Sequence, residues 1–286
     1  FASALSVSDA NTVSALTTGA VTATISEGDM STLGGLSEAG HAYTVTVTDT
    51  SGVSASALTA LAGKTTVDVN ASAVTSVNGS VSEISALYAA TDITGLGNEA
   101  VSLSETISVA NANTISALTT GAVTATLSTG AIGSFESLAG TGNAYNISFT
   151  DTSNVSASAL TALAEKTTNN IDAAAVTSVI GTSSQISELL NQGNFNLSSL
   201  STLNVSNDAT SDASNLVSLL ASEIAIDASS LTSISGSVSD LSTLYAANDI
   251  TGLGNEAISF ASALSVANAN TVSALTTAAV TAALSE

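Results

Sequence analysis

The chain has 286 residues, of which 23 are acidic and only Lys64 and Lys166 are basic, giving a formal charge of −21, and it contains no Pro, Cys or Trp. Two lysines a hundred residues apart cannot neutralise a phosphate backbone or an anionic membrane surface, so nucleic acid is excluded as a direct partner. No apolar run reaches about 18 residues, so no membrane span is expected.

The chain should nevertheless fold, because 44% of its residues are apolar and the mean hydropathy is +0.44. These are mostly Ala, Val, Leu and Ile, side chains that fill a narrow core between closely spaced layers. Along the chain, alternating runs at Val21–Ile25, Tyr43–Val47 and Thr66–Val69 read as strands whose starts lie 22 and 23 residues apart. Runs at Ala100–Leu103, Val123–Leu127 and Tyr145–Phe149 keep the same rhythm.

Between them lie segments of helical spacing: Val53, Ala57, Leu58 and Leu61, then Val81, Ile84, Leu87 and Tyr88. The second class opens on a capping box, Ser80-Val81-Ser82-Glu83, which returns as Thr182-Ser183-Ser184-Gln185 and Ser237-Val238-Ser239-Asp240. Gly19, Gly63 and the Gly95/Gly97 pair stand where the chain should turn out of a helix. Strand, turn, helical stretch and turn in 22–24 residues is the size of one solenoid coil. The expected fold is therefore an α/β solenoid with a parallel sheet and short helical turns. A second β-like run, Thr75–Asn78, keeps an all-β parallel solenoid as the alternative.

Longer repeats overlie the coils. Tyr43 to Val77 recurs from Tyr145 to Val179, an offset of 102 that brings Lys64 onto Lys166. Val74 to Ala100 recurs from Leu231 to Ala257, an offset of 157, and Phe1–Val7 reappears at Phe260–Val266. The expectation is one continuous solenoid over 1–286, cut from a longer array, with targeting segments outside this window. Its long repeats are 1–102, 103–259 and a partial 260–286. The middle one carries about 55 extra residues near 195–226, about two coils.

The units Thr-Gly-Leu-Gly-Asn-Glu-Ala at 94–100 and 251–257, with Ser-Ala-Leu-Thr-Thr at 14–18 and 273–277, resemble the repeat phrasing of giant cell-surface proteins of marine picocyanobacteria. The resemblance spans nearly the whole chain and carries no catalytic motif. It implies an exported surface, matrix or motility-associated filament.

Chemistry has little to stand on. His41 is the only histidine, and hydrolytic metal centres and nucleophilic triads need a base or several ligands. The copy of His41 is Asn143, which argues for a loop residue and against a role shared by both copies. Asp49 and Asp151, in Asp-Thr-Ser turns, are the calcium candidates, set against the simpler reading of an Asx turn. Thr44, Thr46 and Thr48 place three hydroxyls on one strand face, which raises an ice-binding surface as a distant third function. Asn70, Asn78, Asn146, Asn154, Asn196 and Asn204 sit in Asn-x-Ser/Thr acceptor motifs.

The reading that follows is a non-catalytic, extracellular or cell-surface structural protein of a saline or marine setting, forming a stiff rod or filament with itself as partner. No cofactor is called for unless calcium binds. The alternative is a calcium-dependent or glycan-binding adhesin stalk.

Overall fold

The computed structural model describes residues 1–206 and 211–285. It forms two compact units. The first comprises Phe1–Ser128, Ser137–Ile147 and Lys166–Asn169; the second comprises Thr129–Glu136, Ser148–Glu165 and the chain from Asn170 onward.

The first unit is organised around a five-stranded sheet of Val53–Ser54, Ser76–Gly79, Ala100–Ile107, Val123–Leu127 and Ala144–Asn146. Every pairing is parallel. The register sets Val53 beside Val77, Val77 beside Val101 and Val101 beside Val123, each one β-α repeat, here called a coil, further along the chain. All four valines are buried. Successive strand residues face opposite ways, so register and burial fix each other: a one-residue slip would carry every valine to the solvent face. Two smaller parallel pairs, Thr22–Thr24 with Ala42–Thr44 and Val69–Asn70 with Ile93–Thr94, complete the unit's sheets. Its helices are Val7–Ser14, Met30–Leu33, Ala55–Ala62, Val81–Ala89 and Val109–Ser116.

The second unit repeats the scheme. Val155, Val179, Leu203, Ile226 and Ile250 stand side by side in a parallel five-stranded sheet, with intervals of 24, 24, 23 and 24 residues. A four-stranded parallel sheet carries Ile234, Ile258 and Val280 in register. Helices Ala157–Ala164, Ser183–Asn191, Ala213–Leu220, Val238–Ala246 and Val266–Ser273 alternate with these strands. The extra residues near 195–226 supply the strands Thr202–Val205 and Ala225–Asp227 and the helix Ala213–Leu220, joining the sheet at the spacing of its neighbours.

Repeated parallel β-α units are thus present, and the all-β alternative is overturned: the run at Thr75–Asn78 does form the strand Ser76–Gly79, but Val81–Ala89 follows it as a helix. The coil interval also extends below the expected 22–24. Thr22 pairs with Ala42 and Thr124 with Ala144, both 20 residues apart. In the five-stranded sheet the change happens inside Ala100–Ile107, which pairs Ser102 with Thr124 but Thr106 with Thr126. This bulge takes up two residues on one strand, and the sheet passes from a 22-residue to a 20-residue coil without breaking.

The expected capping boxes at Ser80/Glu83 and Thr182/Gln185 are complete, with both arms made. At Ser237 the hydroxyl accepts from the Asp240 amide, but the aspartate bonds the hydroxyl of Ser237; it is one methylene shorter than the glutamate or glutamine of the other two boxes. Three helices of the pattern Val-x-x-Ala-Asn-Thr-x-Ser, at 7–14, 109–116 and 266–273, are poorer in apolar residues than Ala55–Ala62 and Val81–Ala89, and apolar spacing does not mark them. Their Ser N-caps, Ser6, Ser108 and Ser265, do.

Gly95 adopts φ +90°, and a β-carbon there would lie 2.7 Å from the Ser72 backbone one coil earlier. Gly95→Ala should therefore destabilise the chain by more than about 1 kcal/mol, whereas a Gly→Ala change where the backbone is ordinary is neutral or helpful. Gly19→Ala is the control, since Ala278 already occupies the matching place in the later repeat. Chemical denaturation of both variants tests the contrast.

Candidate functional site

The side chains with chemical potential gather where one coil meets the next within each unit. Helix starts show the pattern first. A helix leaves its first amide groups without intrahelical acceptors. Here the N-cap side chain of the same coil takes one, as Ser6 does from Asp9 and Asp29 from Thr32. A carboxylate of the following coil takes the amide of the first helical residue. Val7 donates to Glu27 at 3.1 Å, Met30 to Asp49 at 2.6 Å, Val81 to Glu105 at 2.8 Å and Ile132 to Asp151 at 2.6 Å. Negative charge is favourable at that end of a helical turn.

Asp49 and Asp151, the calcium candidates, are therefore each engaged as an inter-coil cap. Among the described residues no three His, Cys, Asp or Glu side chains come together as a metal-binding group. The Asx-turn reading also needs revising, because their hydrogen bonds run 19 residues back along the chain and are not local.

His41 is a correction of a different kind. It is buried, and its Nδ1 accepts the Val21 amide at 3.1 Å. Asn143 is buried in the other copy, and its Oδ1 accepts the Val123 amide at 2.8 Å. The two residues share one role, capping a strand amide of the preceding coil. Imidazole nitrogen and amide oxygen are interchangeable as acceptors, which is why the His/Asn difference misled.

Threonines act the same way. The Thr65 hydroxyl receives the Tyr43 amide and donates to the Tyr43 carbonyl, at 3.1 and 2.6 Å; Thr167 does both for Tyr145, at 2.9 and 2.7 Å. One hydroxyl thus replaces a ladder residue where the backbone has turned away. Asn11 reaches the next coil with both ends of its amide, donating to Gly35 O at 2.8 Å and accepting from Ser37 N at 3.0 Å. Asn113 repeats this clamp on Ser137 O and Ala139 N.

The phrase Thr-Gly-Leu-Gly-Asn-Glu-Ala has its explanation here. Glu99 is fully buried, and its carboxylate is held by a backbone amide and a hydroxyl. Both of its oxygens accept from the Gly97 amide at 2.9 Å, and one also accepts from the Tyr88 hydroxyl at 2.7 Å. Gly97, at φ +135°, turns its amide back toward the side chain. In the later copy Glu256 accepts from the amides of Gly254 and Asn255. Burial, then the hydrogen bond and charge of Glu99, push the Tyr88 hydroxyl well above its ordinary pKa. The hydroxyls of Thr119 and Thr276 bond the carbonyls of Glu99 and Glu256 from the following coil.

The threonine face does not continue as threonine: Thr24 pairs with Thr44, but Thr46 bridges to Asn70. Several acceptor asparagines are used internally. Asn78 donates to the Gly52 carbonyl, Asn204 donates to Asn154, and Asn70 accepts from the Ser72 amide. Lys64 donates to the Ser37 carbonyl at 3.2 Å. No described helix is long and apolar enough to cross a membrane. No family model, curated protein or solved structure matches the chain.

Two measurements check these roles. His41→Asn should leave stability nearly unchanged, while His41→Ala, which orphans a buried amide, should cost about 1–3 kcal/mol by denaturant titration. Acid is the second. Hydrogen bonds from the Ser31 and Thr32 side chains hold Asp29 below its ordinary 3.8, and those from the Ser80 backbone and hydroxyl hold Glu83 below 4.5. Both groups have depressed folded-state values. Their contribution is therefore complete above the unfolded pKa and is lost as pH falls through the folded one. Thermal stability should drop below about pH 4.5, and Asp29→Asn with Glu83→Gln should flatten that drop.

Proposed function

We propose that this chain is a non-catalytic structural protein of the cell surface or extracellular matrix, an α/β solenoid whose coils build a stiff rod or filament. The observation that carries the reading is where the polar chemistry goes. The carboxylates at helix starts, the lone histidine, the clamping asparagines and the bridging threonines all tie one coil to its neighbour. An enzyme or a dedicated ligand site would aim such groups at one cavity. Here they are distributed along the repeats, so each added coil brings its own adhesive. Length, set by the number of coils, becomes the functional variable. The partner in this reading is the protein itself.

The charge supports a saline setting. With a formal charge of −21, side-by-side packing meets repulsion that reaches roughly 30 Å at 0.01 M salt and about 3 Å at 1 M. Seawater-like ionic strength leaves a solenoid free to associate, and dilution drives copies apart.

Electron microscopy of the protein at high and low salt, with and without a calcium chelator, is the test. Thin uniform filaments with a strand repeat of about 4.8 Å, thinned or dispersed by low salt and unchanged by chelation, are expected. Compact particles at every salt concentration would reject the structural reading. Rods that soften on chelation would replace it with the calcium-dependent adhesin.

A further inference from the structure

The helices Val81–Ala89, Ser183–Asn191 and Val238–Ala246 are three copies of one pattern, but Leu190 stands where the other two carry Tyr88 and Tyr245. Tyr88 closes the space between its helix and the next coil. Its hydroxyl donates to the Glu99 carboxylate at 2.7 Å, and Thr119 donates to the carbonyl of the same Glu99 at 2.6 Å. Near Tyr245, whose hydroxyl is buried, Thr276 donates to Glu256 O at 2.7 Å in the same way. Beside Leu190 this set is replaced. Thr-Gly-Leu-Gly-Asn-Glu-Ala gives way at 196–202 to Asn-Leu-Ser-Ser-Leu-Ser-Thr, so Ser201 holds the place of Glu99. Ser222 holds that of Thr119, since each accepts the amide two residues further on, from Ile224 and Gly121. Ser222, however, donates within its own coil, to Leu219 O at 2.7 Å.

These exchanges coincide with a cavity of about 450 Å³ within the second unit, partly open to solvent. Leu190, Leu219 and Ile224 give it apolar walls, and Ser187, Asn191, Ser218 and Ser222 its polar groups. No carboxylate or imidazole lines it, so it draws on none of the groups that cap one coil from the next. Ser218 donates to Ser214 O at 2.9 Å, Ser222 to Leu219 O at 2.7 Å, and the Asn191 amide nitrogen to Ser187 O at 2.9 Å. With those protons committed, the side-chain oxygens of the three residues remain as acceptors. The C-terminal turns of Ser183–Asn191 and Ala213–Leu220 both line the cavity and bring the negative ends of their dipoles to it. In a chain of formal charge −21, such a site favours a neutral ligand that donates a hydrogen bond and disfavours an anion.

We propose that this cavity binds a neutral phenolic ring, a small molecule with the shape and chemistry of the tyrosine side chain that fills the matching place in the other two copies. The ring lies against Leu190, Leu219 and Ile224, and its hydroxyl donates to the oxygens of Asn191, Ser218 or Ser222. Apolar space that a large side chain leaves empty takes up a ring of matching size, and a few converging polar groups orient it. The site goes beyond the structural reading of the chain and stands whether or not filaments form.

The test titrates 4-methylphenol, the tyrosine side chain as a free molecule, into the intact isotope-labelled chain and follows backbone amide shifts by NMR. Saturable shifts confined to residues 187–191 and 218–224 are expected. Toluene, which lacks the hydroxyl, should bind about tenfold more weakly, and 4-hydroxybenzoate, an anion at neutral pH, should not bind detectably. Leu190→Tyr restores the missing side chain and should abolish binding. Ala221→Phe, at an exposed position on the rim, should block the site without touching the core and serves if the first variant does not fold. Absence of saturable shifts overturns the proposal, as do shifts elsewhere in the chain or shifts that survive in a folded variant. Tighter binding of 4-hydroxybenzoate or of glucose than of 4-methylphenol overturns the assignment to a neutral phenol.

Discussion

Parallel hydrogen bonding between strands one coil apart is the constraint on which everything else depends. Val53, Val77, Val101 and Val123 stand side by side because the chain returns to the same place every 22–24 residues. Each return buries an apolar side chain against its predecessor. A parallel pair cannot be closed by a tight hairpin and needs a crossover connection. The short helices supply it. Their length is limited by what fits between two strands of one coil, and eight or nine residues is the usual result, as in Ala55–Ala62 and Val81–Ala89.

Helices that short are not stable alone, and their ends are the weak points of the design. The chain meets this with two acceptors at several helix starts, one from the same coil and one from the next. Glu27, Asp49, Glu105 and Asp151 therefore serve local helix formation and coil-to-coil adhesion in one hydrogen bond. This also explains why a chain so poor in cations can carry many carboxylates. A carboxylate held by backbone amides has no need of a basic partner, and Glu99 shows that this extends to a fully buried one.

The abundance of Ser, Thr and Asn has the same origin. Where a coil turns away from its neighbour, backbone groups would be left without partners, at a cost that a buried interior does not tolerate. Thr65 and Thr167 fill that gap with one hydroxyl each, His41 and Asn143 with one acceptor each, and Asn11 and Asn113 with a two-pronged amide. These are short, uncharged or neutral groups that reach one strand spacing and no further.

The repeat structure, the strand rhythm and two of the three capping boxes were legible in the sequence because they depend on local order. A period shows in the residues themselves, and Ser80 with Glu83 lies within one helical turn. So was the α/β character, since strand runs and helical spacing alternate along the chain. What only the tertiary structure decided are the contacts between coils. Nothing local distinguishes Asp49 in an Asx turn or calcium loop from Asp49 capping Met30, because the partner lies 19 residues away and the choice depends on how the coils stack. The shared role of His41 and Asn143 was hidden for the same reason: it resides in the amide of the preceding coil. The bulge that shifts the coil from 22 to 20 residues was equally invisible, because it is a property of two strands in register and belongs to neither sequence alone.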